Sequence, residues 1–213
     1  MLDKIFPKIH GEGYKFLVIF GLATLVLYFI HGFFGFIGLV LTIWVYYFFR
    51  DPDRVSIDDQ DYLVSPADGL ITQIVETNGP KEFSLENKKF TRVSIFMSVF
   101  KCHVNRSPIL ASIEDIFYVP GKFLNATLDK ASEDNERNLI KFKTNKGDEI
   151  IVVQIAGLIA RRIVCECNKS QTLQQGEKIG MIRFGSRVDI YFNSYKNLVK
   201  QNQTTVAGET LIA

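Results

Sequence analysis

A chain of 213 residues with 47% hydrophobic content can bury one domain core and carry a short appendage. Its net charge of +2, its pI of about 8.3 and the absence of any Lys/Arg-rich run exclude a nucleic-acid surface built on charge. Three cysteines (Cys102, Cys165 and Cys167) without framework spacing exclude a disulfide-built secreted domain and suit a reducing compartment. The N-x-S/T triplets at Asn125, Asn168 and Asn202 are accordingly read as chance.

The apolar residues crowd into the first fifty positions. Phe16 to Ile30 is one apolar run, His31-Gly32 interrupts it, and Phe33 to Phe49 is a second run containing Trp44, Tyr46 and Tyr47. No charge occurs between Lys15 and Arg50. The rest of the chain is too small to cover this material, so insertion into a membrane is the expected outcome. A cleaved signal peptide is the poorer fit, because the apolar stretch is too long and ends in bulky aromatics and Arg50. Lys4, Lys8 and Lys15 precede the segment, and Arg50 and Arg54 follow it. Basic residues on both flanks put both ends on the cytoplasmic side, hence a helical hairpin turning at His31-Gly32. Each run is near the lower limit for a full span, so a shallow hairpin in one leaflet stays open. His31 is read as a polar turn residue.

Residues 1–54 are therefore expected to anchor the chain, and 55–213 to form the catalytic domain. Arg50-Asp51-Pro52-Asp53-Arg54 stops the second helix with charge and a proline, and 55–61 reads as a polar linker. From Tyr62 onward the pattern predicts strands near 62–65, 69–76, 92–100, 109–118, 150–156, 159–166, 179–184 and 187–192. Gly69, Gly79-Pro80, Pro120-Gly121, Asn145-Lys146-Gly147 and Gly176 punctuate them. Phe123 to Arg137 lacks the alternation and reads as a helix or a long surface loop. The expected fold is mainly β, a compact sandwich or barrel with few helices.

Three short motifs carry chemistry. They are Ser65-Pro66-Ala67-Asp68-Gly69, Cys102-His103-Val104-Asn105-Arg106-Ser107-Pro108 and Phe184-Gly185-Ser186-Arg187-Val188. Each alone is commonplace, but together they supply an acid, a base and a hydroxyl nucleophile. His103 is the only histidine outside the N-terminal segment, so serine chemistry with a histidine base in this domain must use it. Gly185 leaves the carbonyl before Ser186 open to attack and tolerates a strained turn. Cys102 is read as core, since adjacent strand residues face opposite ways. Cys165-x-Cys167 places two thiols on one strand face, but a metal would need further ligands, so none is expected.

The ordered set Ser-Pro-Ala-Asp-Gly, His-Val-Asn-Arg-x-Pro and Phe-Gly-Ser resembles the phosphatidylserine decarboxylase family, short bacterial type. Pro120-Gly121-Lys122-Phe123-Leu124-Asn125-Ala126 and Gln154-Ile155-Ala156-Gly157-Leu158-Ile159-Ala160-Arg161-Arg162 resemble it too, and the resemblance covers nearly the whole chain. It implies that Asp68 orients His103, that His103 takes the proton of Ser186, and that the Ser186 oxygen attacks the Gly185 carbonyl. The chain then parts into 1–185 and 186–213, held together without a covalent bond. Position 186 becomes a pyruvoyl group, the covalent cofactor. This group forms a Schiff base with the serine amine of phosphatidylserine and absorbs the electrons left by CO2, and His103 protonates the carbanion. The implied product is phosphatidylethanolamine, in phospholipid biosynthesis, with the domain on the cytoplasmic side of the bacterial inner membrane. No nucleic-acid partner is implied, and homo-oligomerisation stays open.

Two departures stand out. Arg187 occupies a position where many members have Thr. Some longer members carry a second His near the first, where this chain has Asn105 and Arg106, which leaves His103 to serve both steps. Arg106, Arg161 and Arg162 are open between phosphate contacts and structural salt bridges. Three rivals remain at this level. A serine hydrolase would keep the chain whole, but lacks the G-x-S-x-G elbow. A non-enzymatic tethered β domain would leave the three motifs idle. A pyruvoyl decarboxylase of a soluble amino acid would have little use for the hairpin.

Overall fold

The computed structural model describes residues 6–124, 134–157, 162–183 and 186–213. Two helices come first, α1 (Gly13–Ile30) and α2 (Gly32–Phe48), separated only by His31. His31 is extended, with φ −165° and ψ 137°, and its Nδ1 accepts from the Phe33 backbone N–H at 3.2 Å. The turn histidine thus caps α2. The helices fold back on each other. Thr24 and Thr42 share a hydrogen bond of 2.9 Å between their hydroxyls. A Cβ at Gly35 would come within 2.8 Å of Tyr28, and one at Gly38 within 2.8 Å of Thr24. Small residues therefore let the two backbones approach, as in membrane helix pairs.

Most of the hairpin's side chains face outward, Phe29 at 85% exposure among them. α1 is long and apolar enough to cross a membrane, and α2 is a shorter apolar helix. An apolar N-terminal helix with its side chains turned outward suits membrane association. The base of the hairpin is different. Val45, Phe48 and Phe49 are buried and pack with Met181 of the β domain.

Beyond the hairpin the described strands are β1 (Gly69–Asn78), β2 (Lys89–Met97), β3 (Val104–Arg106), β4 (Ala111–Val119), β5 (Arg137–Lys143), β6 (Glu149–Ile155), β7 (Arg162–Cys165), β8 (Thr172–Leu173), β9 (Lys178–Arg183), β10 (Ser186–Phe192) and β11 (Thr204–Thr205). They form an eight-stranded sheet in the order β11-β1-β2-β10-β6-β5-β4-β8 and a three-stranded sheet β3-β9-β7. The pairings between these strands are antiparallel. The mainly β architecture with an apolar helical hairpin is the one expected.

The core follows from strand alternation. Val188, Ile190 and Phe192 of β10 join Val93, Ile95 and Met97 of β2 and Ile150 and Val152 of β6 on one face. Leu139, Ile151, Val153, Ile155 and Tyr191 pack on the other. Three sequence expectations need correcting. Residues 62–65 make only an isolated bridge, Val64 with Leu211, because Leu63 and Ser65 bond to the irregular C-terminal segment. Residues 98–100 are not strand, since the chain turns at Ser98–Lys101 after β2. β5 was not anticipated, although it forms one arm of the hairpin whose turn at Asn145-Lys146-Gly147 was. Most of the 123–137 reading, the start of the 159–166 strand and residue 184 lie outside the described residues.

Candidate active site

β10 is the fourth strand of the eight-stranded sheet, with β2 paired on one side of it and β6 on the other. Its first residue is Ser186, which is paired with Met97 and fully buried. The parity that sends Val188 into the core points Ser186 to the same face, and sends Arg187 to the opposite one. Arg187 there forms a bidentate pair with Asp189, both bonds 2.8 Å, within a fully enclosed environment. The unusual residue after the serine is therefore directed away from the serine's hydroxyl.

The Ser186 hydroxyl donates to the thioether of Met97 at 3.5 Å. The Asn105 side-chain amide, from β3 of the facing sheet, donates to the same sulfur at 3.6 Å. Gln154 Nε2 donates to Asn105 Oδ1 at 2.9 Å, and Asn138 Nδ2 donates to Gln154 Oε1 at 2.9 Å. Asn138 and Gln154 face each other across β5 and β6. All of these side chains are buried. Nothing in the sequence joined positions 97, 105, 138 and 154.

His103 precedes β3 and is also fully buried. Its Nδ1 lies 2.9 Å from the Lys101 carbonyl, and its ring is tilted against Phe48, with centroids 4.3 Å apart. A carbonyl only accepts, so Nδ1 carries the proton and Nε2 presents a lone pair. Burial pushes the imidazole pKa down from 6.5 to about 4, so the ring is neutral at physiological pH. The His103 carbonyl accepts from the Ile182 N–H at 3.3 Å. His103 thus sits beside β9, the strand that leads into Phe184 and Gly185, which lie outside the described residues.

Asp68 ends the Ser-Pro-Ala-Asp motif immediately before β1. Its Oδ2 accepts from Arg54 at 2.9 Å and its Oδ1 from the Ala207 N–H at 2.7 Å. Asp68 and the His103 Nδ1 thus have different partners. Asp68 lies close enough to Cys102 to raise that thiol's pKa, as a contribution smaller than burial. Gly69 follows for a steric reason: a Cβ there would run into the Phe96 carbonyl, and β1 could not close on β2.

The segment Arg50–Arg54, which leaves the hairpin, is tied to these motifs at four points. Cys102 Sγ donates to the Arg50 carbonyl at 3.3 Å. Arg106 reaches Asp51 at 3.3 Å, the Pro52 carbonyl at 2.9 Å and the Gly176 carbonyl at 2.9 Å. Lys178 pairs with Asp51, and Arg54 with Asp68. Arg106 is thereby a buried structural ion-pair partner, and Cys102 is core. Arg162 is exposed, and Arg161 lies outside the described residues. The Cys165 and Cys167 sulfurs lie 3.5 Å apart, and the shared proton between them holds the Cys165 pKa down to about 6. No group of three metal-ligating side chains occurs among the described residues.

The arrangement sets a buried hydroxyl and a buried amide on one sulfur, the amide two residues along the chain from a neutral imidazole that packs on the base of an apolar hairpin. Comparison with known proteins places the chain in a family. Residues 41–213 match the family model described as phosphatidylserine decarboxylase. Over all 213 residues the chain is 66% identical to the phosphatidylserine decarboxylase proenzyme of Pelagibacter ubique, covering 99% of that protein. It is 50% identical to the proenzyme of the same name from Ruegeria pomeroyi, covering 98% of it, and 49% identical to that of Cereibacter sphaeroides, covering 92%. With most of its length matched by the model and its whole length by these relatives, the chain belongs to the phosphatidylserine decarboxylase family.

Proposed function

We propose that this chain is a proenzyme that cuts itself between Gly185 and Ser186 and then decarboxylates phosphatidylserine to phosphatidylethanolamine. The observation that carries the reading is Ser186: a buried hydroxyl at the start of a central strand, sharing the Met97 sulfur with Asn105, which lies two residues after the chain's one domain histidine.

The cutting step follows from these residues. His103 is held by the Lys101 carbonyl and by Phe48, and its Nε2 accepts the hydroxyl proton. The Ser186 oxygen bonds to the Gly185 carbonyl carbon, and the C–N bond breaks as the proton passes to the Ser186 nitrogen. Loss of the Ser186 α-proton and of the Gly185 carboxylate leaves a dehydroalanine at position 186. Water then replaces its nitrogen, which departs as ammonia. A neutral, desolvated base suits this sequence, because it is ready to accept a proton at neutral pH. Asp68 acts through its partners: with Arg54 and Ala207 it fixes the loop before β1 and supplies a negative charge beside Cys102 and Arg106.

The surroundings of position 186 fit a pyruvoyl group, being buried and provided with an amide donor at Asn105. Such a group supplies the electron sink that decarboxylation needs. The chain's own contribution is to exclude water, to orient the substrate beside His103 and to hold a proton at Nε2 for return to the product. The apolar hairpin supports attachment to the bacterial inner membrane, with the basic flanks and the β domain on the cytoplasmic side. A lipid substrate then meets the site at the headgroup plane.

Intact-mass spectrometry of the purified protein tests the proposal. The expected result is a fragment 186–213 lighter than its serine-started peptide by one ammonia. A Ser186→Ala chain is expected to stay whole and inactive. An active protein made only of uncut chain would remove the mechanism and promote a serine hydrolase.

A further inference from the structure

We infer that Asn105 is a positioning and hydrogen-bonding residue for the oxygen at position 186, held in its working orientation by Gln154 and Asn138. The inference rests on self-cutting at Ser186. It starts from an oddity of the site, two good donors converging on one poor acceptor. The Ser186 hydroxyl and the Asn105 amide both donate to the Met97 sulfur, at 3.5 and 3.6 Å. A thioether is a weak acceptor, so neither donor gains much there. The amide is nevertheless not free to turn. Gln154 donates to its oxygen, and Asn138 donates to the oxygen of Gln154. Reversing Asn105 would set its NH2 against the NH2 of Gln154 within a buried network. The chain of amides therefore has one direction, and it ends with an N–H turned toward the sulfur that Ser186 also touches.

This direction matters once His103 takes the serine proton. The oxygen then carries negative charge, and the lone pairs of Met97 repel it. Asn105 is the neighbouring donor that can move from the sulfur to that oxygen without breaking its bond to Gln154. A donor aimed at developing charge in a dry site is worth far more than in water. No bond is made or broken by Asn105 itself.

Two variants test the inference, with self-cutting followed by gel and mass rather than by decarboxylation. Asn105→Asp replaces the N–H with an oxygen. At pH 8 its carboxylate opposes charge on the serine oxygen, and cutting is expected to slow about 100- to 1,000-fold. At pH 5.5 the buried acid takes a proton, becomes an O–H donor of the same shape, and cutting recovers. Gln154→Glu, which does not touch position 186, is expected to follow the same profile by forcing the Asn105 amide over, and it serves where Asn105→Asp does not fold at pH 8. Wild-type cutting by Asn105→Asp at pH 8 overturns the inference. So does a folded Asn105→Asp that stays uncut at pH 5.5. A wild-type chain that never cuts would instead overturn the proposed function.

Discussion

His103 shows how one side chain is tuned by where the fold puts it. Its imidazole is fully buried against Phe48, which depresses its pKa from 6.5 to about 4. Between these values the unfolded chain binds a proton that the folded chain refuses. Stability contributed by the neutral ring is thus complete above about pH 6.5 and is lost as pH falls toward 4. The loss is on the order of 3 kcal/mol. His103→Gln is expected to be less sensitive to acid over this window by about that amount, measured by denaturant unfolding of the uncut Ser186→Ala background at pH 7 and pH 4.5. Asp68 and Arg54 pose a different problem at this scale. Both are largely buried and joined at 2.9 Å. Arg54→Ala would strand the carboxylate with the Ala207 N–H alone, and a loss of about 3–5 kcal/mol is expected in thermal or denaturant unfolding. The sequence named Asp68, His103 and Ser186 because their residue types make an acid, a base and a nucleophile. It could not show that Lys101 supplies the carbonyl behind His103, because any residue carries a carbonyl. Nor could it show Arg54 opposite Asp68, since that pairing spans the hairpin's exit.

Among the elements, the hairpin was the most legible, because an uncharged apolar stretch between Lys15 and Arg50 has few other fates. Its turn was marked by His31-Gly32, and the structure gives His31 the cap of α2. β5 was harder to read. Arg137–Lys143 alternates, but its inward set begins with Asn138, a residue depleted in strands, and its outward set ends in lysines. The amide is tolerated because Gln154 answers it from β6. What no period could reveal is that α2 ends on the candidate base. Phe48 is at once the last residue of α2 and the ring packed on His103. Phe48→Ala is expected to admit water beside the imidazole and to raise its pKa from about 4 toward 6.5. The pH at which self-cutting fails on acidification should rise accordingly, as read by a gel series from pH 4 to pH 8. An unchanged acid limb in the folded variant would count against Phe48 as the cause of the low pKa.

At the scale of the whole molecule, the position of β10 separates making the fold from keeping it. The strand lies between β2 and β6, with further strands beyond both. A fragment 186–213 would hold this strand, and its tail would hold β11 beside β1. Folding brings those pieces in as parts of one chain, at the modest entropy of closing loops. After a cut before Ser186, their return would be an encounter between two molecules, one offering an open slot in a sheet. The mature form is then preserved by the slowness of unfolding and by no equilibrium that a single chain could define. Mature protein taken through denaturant is expected to come back with little activity, while uncut Ser186→Ala regains its native circular dichroism. The peptide bond before Ser186 would in that sense be an instruction read once: needed for assembly, dispensable afterwards, and impossible to reissue, so that a damaged enzyme can only be replaced by a newly made one.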